Sequence, residues 1–259
     1  MMKKIASLFI AVLAVTLSGC LDTVEELTIA KDGTGVYKST MDMSSMFDMI
    51  EMMAAMDTSA NSQLKKIAEK DIDSVLNMRS IIDTAANLTE EQKKLFQDAS
   101  MSITMKQKDK VFKMGMTYPF KKLEDVQRIM QLNDAGKGVG LFGKNGNDNA
   151  ALPGMDDKNG FPSVGNYYDM SLKPGLIERK LNEVKLEALK NDDKLKEMKN
   201  SEDMMSAITY STIIHLPKPA RKAEGEKLQL SADKKTVTIK SSLMDLFENP
   251  KALNFRIEY

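Results

Sequence analysis

Four groups of residues have types and spacings that could do chemistry. Cys20 is the only cysteine, and it closes the run Leu17-Ser18-Gly19-Cys20. A lone thiol placed here offers a site for covalent modification, which would leave the mature chain no free thiol, no disulfide, no thiol nucleophile and no Cys-based metal site. The second group is methionine: Met41, Met43, Met46, Met49, Met52, Met53 and Met56 fall within sixteen positions. Thioethers at Met-x-Met spacing suit Cu(I). Met46, Met49, Met53 and Met56 also fall at helical spacing, which suits an apolar stripe packed on a core or a partner. The stripe is the reading adopted, with those four as candidate binding residues and no metal. The third group lies in a glycine-rich stretch. Gly138-Val139-Gly140-Leu141-Phe142-Gly143 matches the dinucleotide pattern, and with Lys144 nearly matches the phosphate loop. Asn145 stands where Ser or Thr would hold magnesium. Both motifs need a strand before and a helix after; here a helical pattern precedes and an Asn/Asp/Gly run follows. Asn145, Asn147, Asn149 and Asp156 echo a calcium loop, but Ala150 replaces its glycine and the first three ligands are neutral. No cofactor is expected. The fourth is His215, the only histidine, at the end of an alternating segment on the face with Thr209 and Ser211. A Ser-His-acid arrangement needs a hydroxyl within reach and an orienting acid, and no Gly-x-Ser-x-Gly elbow occurs. Carboxylate pairs cannot be singled out among 37 acidic residues. No catalytic residue is assigned, and the chain is expected not to be an enzyme.

The elements that must position these residues alternate in period. Leu27 and Ile29 alternate with polar neighbours, Asp32-Gly33-Thr34-Gly35 is a turn, and Tyr37, Ser39, Met41 and Met43 share a strand face. Helical spacing over 46–56 follows. Residues 73–78 read equally as a short strand or a helical turn. Thr89 with Gln92 forms a capping-box signature for a helix. Met101, Ile103 and Met105, then Phe112, Met114, Met116 and Tyr118, read as a hairpin with one apolar face. Leu123, Val126 and Met130 mark a short amphipathic helix. Residues 133–165 hold eight of the fourteen glycines and nine Asn or Asp, a composition that predicts a flexible loop. A hairpin around Lys173-Pro174-Gly175 follows. The run Lys185 to Lys199 alternates in charge as a solvated helix face does. The close is β-rich, with Ile208, Tyr210, Thr212, Ile214 and Leu216 on one face and an alternating strand ending at Tyr259. The pattern predicts an α+β fold, an antiparallel sheet built from hairpins with helices packed on one face. The divisions are a leader at 1–19, an N-terminal part at 20–132, the loop at 133–165 and a β-rich part at 166–259 of the same domain. Interrupting helices and the lack of aromatic girdles argue against a membrane barrel.

Composition narrows the function. Met1-Met2-Lys3-Lys4 followed by the apolar run from Ile5 to Leu17 has the layout of a secretory signal and is too short for a stable membrane span. Cleavage before Cys20 leaves 240 residues, 259 less 19. It also removes Lys3 and Lys4, so 37 basic residues become 35 against 37 acidic, a net charge of −2. Such a balance gives no basic footprint for nucleic acid.

Leu17-Ser18-Gly19-Cys20 resembles the lipobox of bacterial lipoproteins. That resemblance implies a diacylglycerol thioether and an acylated amino terminus at Cys20. With Leu21 rather than an acidic residue next, it implies the outer membrane. Asp32-Gly33-Thr34-Gly35-Val36-Tyr37, Ile213-Ile214-His215-Leu216-Pro217-Lys218-Pro219 and Leu230-Ser231-Ala232-Asp233-Lys234-Lys235-Thr236-Val237 resemble segments of Bacteroidetes-type envelope lipoproteins. They are also similar to the mycobacterial LppM-type lipoproteins, whose α+β domain has been linked to lipid binding. The resemblance implies an envelope address and carries over no active-site residue. The chain thus reads as a lipid-anchored envelope protein with a non-catalytic binding or assembly domain, its partner an envelope protein or a lipid. The alternatives are a carrier with a methionine-lined cavity and an envelope hydrolase.

Overall fold

The computed structural model describes residues 21–47, 71–86, 88–134, 164–190 and 206–259, with the side chains at 46, 133, 134, 166 and 188–190 outside that description. Twelve strands occur among these residues: β1 Leu21–Ile29, β2 Gly35–Asp42, β3 Ile72–Asn77, β4 Ser100–Lys106, β5 Val111–Phe120, β6 Tyr168–Lys173, β7 Leu176–Leu181, β8 Ile208–His215, β9 Lys222–Glu224, β10 Leu228–Leu230, β11 Thr236–Ser242 and β12 Phe255–Glu258. The helices are α1 Arg79–Thr84, α2 Glu90–Phe96, α3 Leu123–Asp134, α4 Glu183–Lys190 and α5 Leu243–Glu248. Short 3-10 turns lie at Ser44–Met46, Val164–Tyr167 and Pro250–Leu253. The strands form an open eight-stranded sheet in the order β10-β11-β8-β1-β2-β5-β4-β3 and a four-stranded sheet in the order β6-β7-β12-β9.

Local chemistry sets the hairpins. In the β1–β2 turn the Asp32 carboxylate accepts from the Thr34 amide at 3.1 Å and the Thr34 hydroxyl at 2.8 Å. Gly33 takes φ +86°, which a side chain would resist. Gly35 answers a different need: a Cβ there would stand 2.0 Å from the Thr28 carbonyl oxygen and 2.5 Å from the Phe120 ring. The capping box expected at Thr89 is present, with the Gln92 amide donating to Thr89 Oγ1 at 3.3 Å and Gln92 Oε1 accepting from the Thr89 amide at 2.9 Å. Residues 72–77, ambiguous in sequence, are the edge strand β3.

The α+β class holds, and two features refine it. The strands divide into two sheets. The centre of the large sheet is also not a hairpin: β1 pairs with β8 in parallel, Leu21 beside Ile208 and Leu27 beside Ile214, while the other neighbours in both sheets are antiparallel. The helices share the inner face of the large sheet with the small sheet instead of covering it alone. Tyr118 of β5 meets Phe96 of α2 at 5.7 Å between rings and stacks on Tyr37 of β2 at 5.9 Å. Arg179 of β7 reaches the same face over β1 and β8.

Alternation carries the odd-numbered residues of β1 inward, Leu21, Thr23, Glu25, Leu27 and Ile29, and register aligns Tyr37 and Ser39, Tyr118 and Met116, Ile214 and Thr212 on that face. The core has two clusters. One gathers Leu27, Ile29, Tyr37, Phe96, Tyr118, Val126, Ile177, Ile214 and Ile257 at the end of the β1–β2 turn. The other gathers Leu21, Met43, Phe47, Met105, Phe112, Tyr168, Ile208, Leu243 and Leu246 at the end where β1 starts. Methionines fill both, as adaptable side chains do.

Candidate functional site

A polar belt crosses the inner face between the two clusters. Glu25 lies opposite Ser39 of β2 and Thr212 of β8, and Thr23 lies opposite Tyr210, itself opposite Ser241 of β11. The small sheet contributes Arg179, which is 6% exposed and crosses from β7, where it pairs with Phe255 of β12. These residues line a cavity of about 10 Å³, room for about one water and no larger ligand.

Each member of the belt is held from a different element. The Tyr37 hydroxyl donates to Glu25 Oε1 at 3.0 Å. Arg179 Nε donates to the Leu253 carbonyl at 2.8 Å, and its guanidinium lies over the rings of Phe255 at 4.8 Å and Tyr168 at 5.3 Å. The Tyr168 hydroxyl donates to the Pro250 carbonyl at 2.7 Å, and Asn254 Oδ1 accepts from the Leu181 amide at 2.7 Å, so the turn at Pro250–Leu253 fixes the arginine's surroundings. Arg179 Nη2 is buried and has no hydrogen-bond partner among the described residues. Such a donor beside a water-sized space fits a bridge by one water.

Electrostatics follow from depth. Glu25 keeps partial solvent contact at its surface, yet burial of its carboxyl pushes its pKa above the ordinary glutamate value, against the lowering pull of the Tyr37 hydrogen bond and the Arg179 charge. Burial pushes the Arg179 pKa down, opposed by Glu25 and Tyr168. Burial also raises the Tyr168 hydroxyl to about 12. A carboxyl with a raised pKa is the type of group that moves protons. Here it accepts a hydroxyl of its own sheet and lies near a guanidinium of the other, beside a space that admits no substrate.

A second polar cluster lies on the opposite face of the large sheet. His215 ends β8 on the face with Thr209 and Ser211, as its sequence position predicts. Its Nε2 is 2.9 Å from Glu26 Oε1 and its Nδ1 is 3.3 Å from Thr236 Oγ1. Acid, imidazole and hydroxyl fall in a line, as in a hydrolytic triad. The hydroxyl belongs to a mid-sheet strand rather than a strained elbow, and both His215 and Glu26 side chains are 39% exposed. At the other end of β8, on the same face, the Thr209 hydroxyl donates to Asp22. A surface groove of about 230 Å³ runs between α2 and α3, lined mainly by charged side chains including Glu91, Lys94, Asp125 and Arg128.

The candidate residues from sequence are not brought into either cluster. Cys20, Met49, Met53 and Met56 lie outside the described residues, as do the glycine motif at 138–143 and the Asn145–Asp156 pattern. Met46 belongs to the 3-10 turn after β2. The chain passes out of the described residues at Phe47 and returns at Asp71, both at the end where β1 starts. Among the described residues no three His, Cys, Asp or Glu side chains are placed to hold a metal, and no helix is long and apolar enough to cross a membrane. Glu25, Tyr37 and Arg179 escaped the sequence reading. The signal was a charged residue at an inward position: Glu25 between Thr23 and Leu27, Arg179 between Ile177 and Leu181.

Comparison with known proteins adds little. No family model matches the chain, and no curated protein matches it. Among solved structures, the NMR structure of the folded domain of Mycobacterium tuberculosis LppM aligns over 93% of this chain and 91% of that one, at 8% identity and a TM-score of 0.37. The likeness is faint. It is too slight to carry a role from that protein to this one.

Proposed function

We propose that this chain is an outer-membrane lipoprotein of a bacterial envelope, acylated at Cys20, whose α+β domain is a non-catalytic binding or assembly module. The observation that carries the anchoring is the position of the lipobox: the first strand of the fold begins at Leu21, the residue directly after Cys20. The non-catalytic reading is supported by the belt, where Glu25, whose carboxyl pKa is raised, accepts the Tyr37 hydroxyl near the Arg179 charge beside a water-sized space. The hydrophobic-carrier alternative needs an apolar cavity. The two cavities described above are polar or charged, and the methionines at 49, 53 and 56 that would line an apolar one lie outside the described residues, so the carrier stays the alternative reading.

Two experiments test this reading. Metabolic labelling with a fatty acid should mark the wild type and leave Cys20→Ser unmarked; a labelled variant would end the anchoring proposal. Purification of the native lipidated protein in mild detergent, with mass spectrometry of what accompanies it, should yield a stoichiometric envelope protein. A retained lipid with no protein would return the carrier reading in its place.

A further inference from the structure

The start of β1 leaves no tether between anchor and domain. Leu21 is 1% exposed and sits in register with Ile208 of β8 and one residue from the Asp22–Asp42 pair with β2. A residue at position 20 has its Cα about 3.8 Å from that of this fixed core residue. On the reading that Cys20 is acylated, the acyl chains leave directly from the end of a central strand. We infer that this end of the domain is a membrane-contact face, seated on the headgroups of the bilayer that holds the anchor.

The strand ends that surround Leu21 define the face. β2 ends there at Asp42, β8 begins at Ile208, β11 ends at Ser242 and leads into α5, and β4 turns into β5 through residues 107–110. The chemistry of the rim suits a headgroup layer. Lys106 and Lys108 are exposed in or beside the β4–β5 turn, and α5 presents partly buried Met244 and Phe247 next to the lower cluster. Val184, at the start of α4 just beyond Leu181, is 80% exposed and places an apolar side chain on this end. Basic side chains beside apolar ones match the phosphate and upper acyl levels of a bilayer. Acidic groups share the rim: Asp42 pairs with Lys113 at 2.8 Å, Asp71 accepts from the Gln107 amide at 2.9 Å, and exposed Asp109 follows Lys108 in the turn. The opposite end, with the β1–β2 turn at Asp32 and Gly33, then stands away from the surface. Nine residues of β1 at roughly 3.3 Å each set the separation at up to about 30 Å.

The test uses the lipidated protein in vesicles of equal parts phosphatidylcholine and phosphatidylglycerol. With Cys20 acylated, a second cysteine carries a fluorophore at one chosen site. Lys108→Cys and Val184→Cys mark the near end; Lys31→Cys and Lys218→Cys mark the far end, and all four are exposed positions that the fold does not use. Distances to a headgroup-attached acceptor should be roughly 20–30 Å shorter for the first pair than for the second. Equal distances, or the reverse order, would overturn the inference. Acyl mass on the intact protein is read from the same sample: its absence removes the anchor itself, a failure separate from a lipidated domain that sits the other way.

Discussion

Glu25 and Glu26 are neighbours in one strand and share a side-chain type, yet alternation sends them to opposite faces. Glu25 points between the sheets, where burial raises its pKa and Tyr37 and Arg179 answer it from two other strands. Glu26 points outward and meets His215 at 2.9 Å with both side chains 39% exposed. Glu25 stands in the large sheet and Arg179 in the small one, whereas Glu26 and His215 belong to neighbouring strands that already share a ladder. The difference teaches that depth decides which polar contact the fold depends on. Water can replace a partner on the outer face and has room for only about one molecule on the inner one.

Breaking the inner cluster should give the largest effect. Arg179→Ala removes the hydrogen bond to the Leu253 carbonyl, strips packing from Tyr168 and Phe255 and takes a positive charge from beside Glu25; denaturant unfolding should show a loss of about 2–5 kcal/mol. A loss below about 1 kcal/mol would mean that the belt is solvated and the contrast between faces is false. Removing both charges sharpens the comparison. Glu25→Gln with Arg179→Met should recover at least half of what Arg179→Met alone loses, since no isolated buried charge remains, and a double-mutant cycle reads this coupling directly.

Acidity separates the faces next. Because burial raises the folded-state pKa of Glu25 above its ordinary 4.5, the unfolded chain releases that proton first as pH rises. The contribution of Glu25 is therefore fully present below pH 4.5 and is lost as pH climbs through the raised value. Unfolding free energies across pH 4 to 8 should fall more for the wild type than for Glu25→Gln over that window; parallel curves would place the Glu25 carboxyl in water. The smallest effect belongs outside. Glu26→Gln should cost less than about 1 kcal/mol, and added salt should erase most of that.

What was legible in the sequence was local. Asp32-Gly33 names its own turn because a short acceptor and a glycine with positive φ close it within four residues. Thr89 and Gln92 name their helix because both halves of the capping box lie three residues apart. Strand ambiguity at 72–77 came from an edge position, where exposed Val75 and Leu76 blur the alternation. The non-local choices were hidden. The parallel match of Leu21 with Ile208, and the meeting of Glu25 with Arg179, depend on how distant segments compete for the same neighbours, and no short-range pattern encodes that. The outer cluster was half visible: His215 on a polar face could be placed, whereas Glu26 and Thr236 required the strand order.

The parallel pairing of β1 with β8 also sets the timing of folding. The first strand of the sheet centre is made early, and its partner at residues 208–215 emerges nearly two hundred positions later. At roughly 5–20 residues per second, ribosomes deliver that partner some 10–40 s after Leu21. Until then the central strand has one side unfilled, and a high share of long-range pairings slows closure further. Closure of the sheet centre therefore waits for roughly the last fifth of the chain, which supplies β8 and every strand after it.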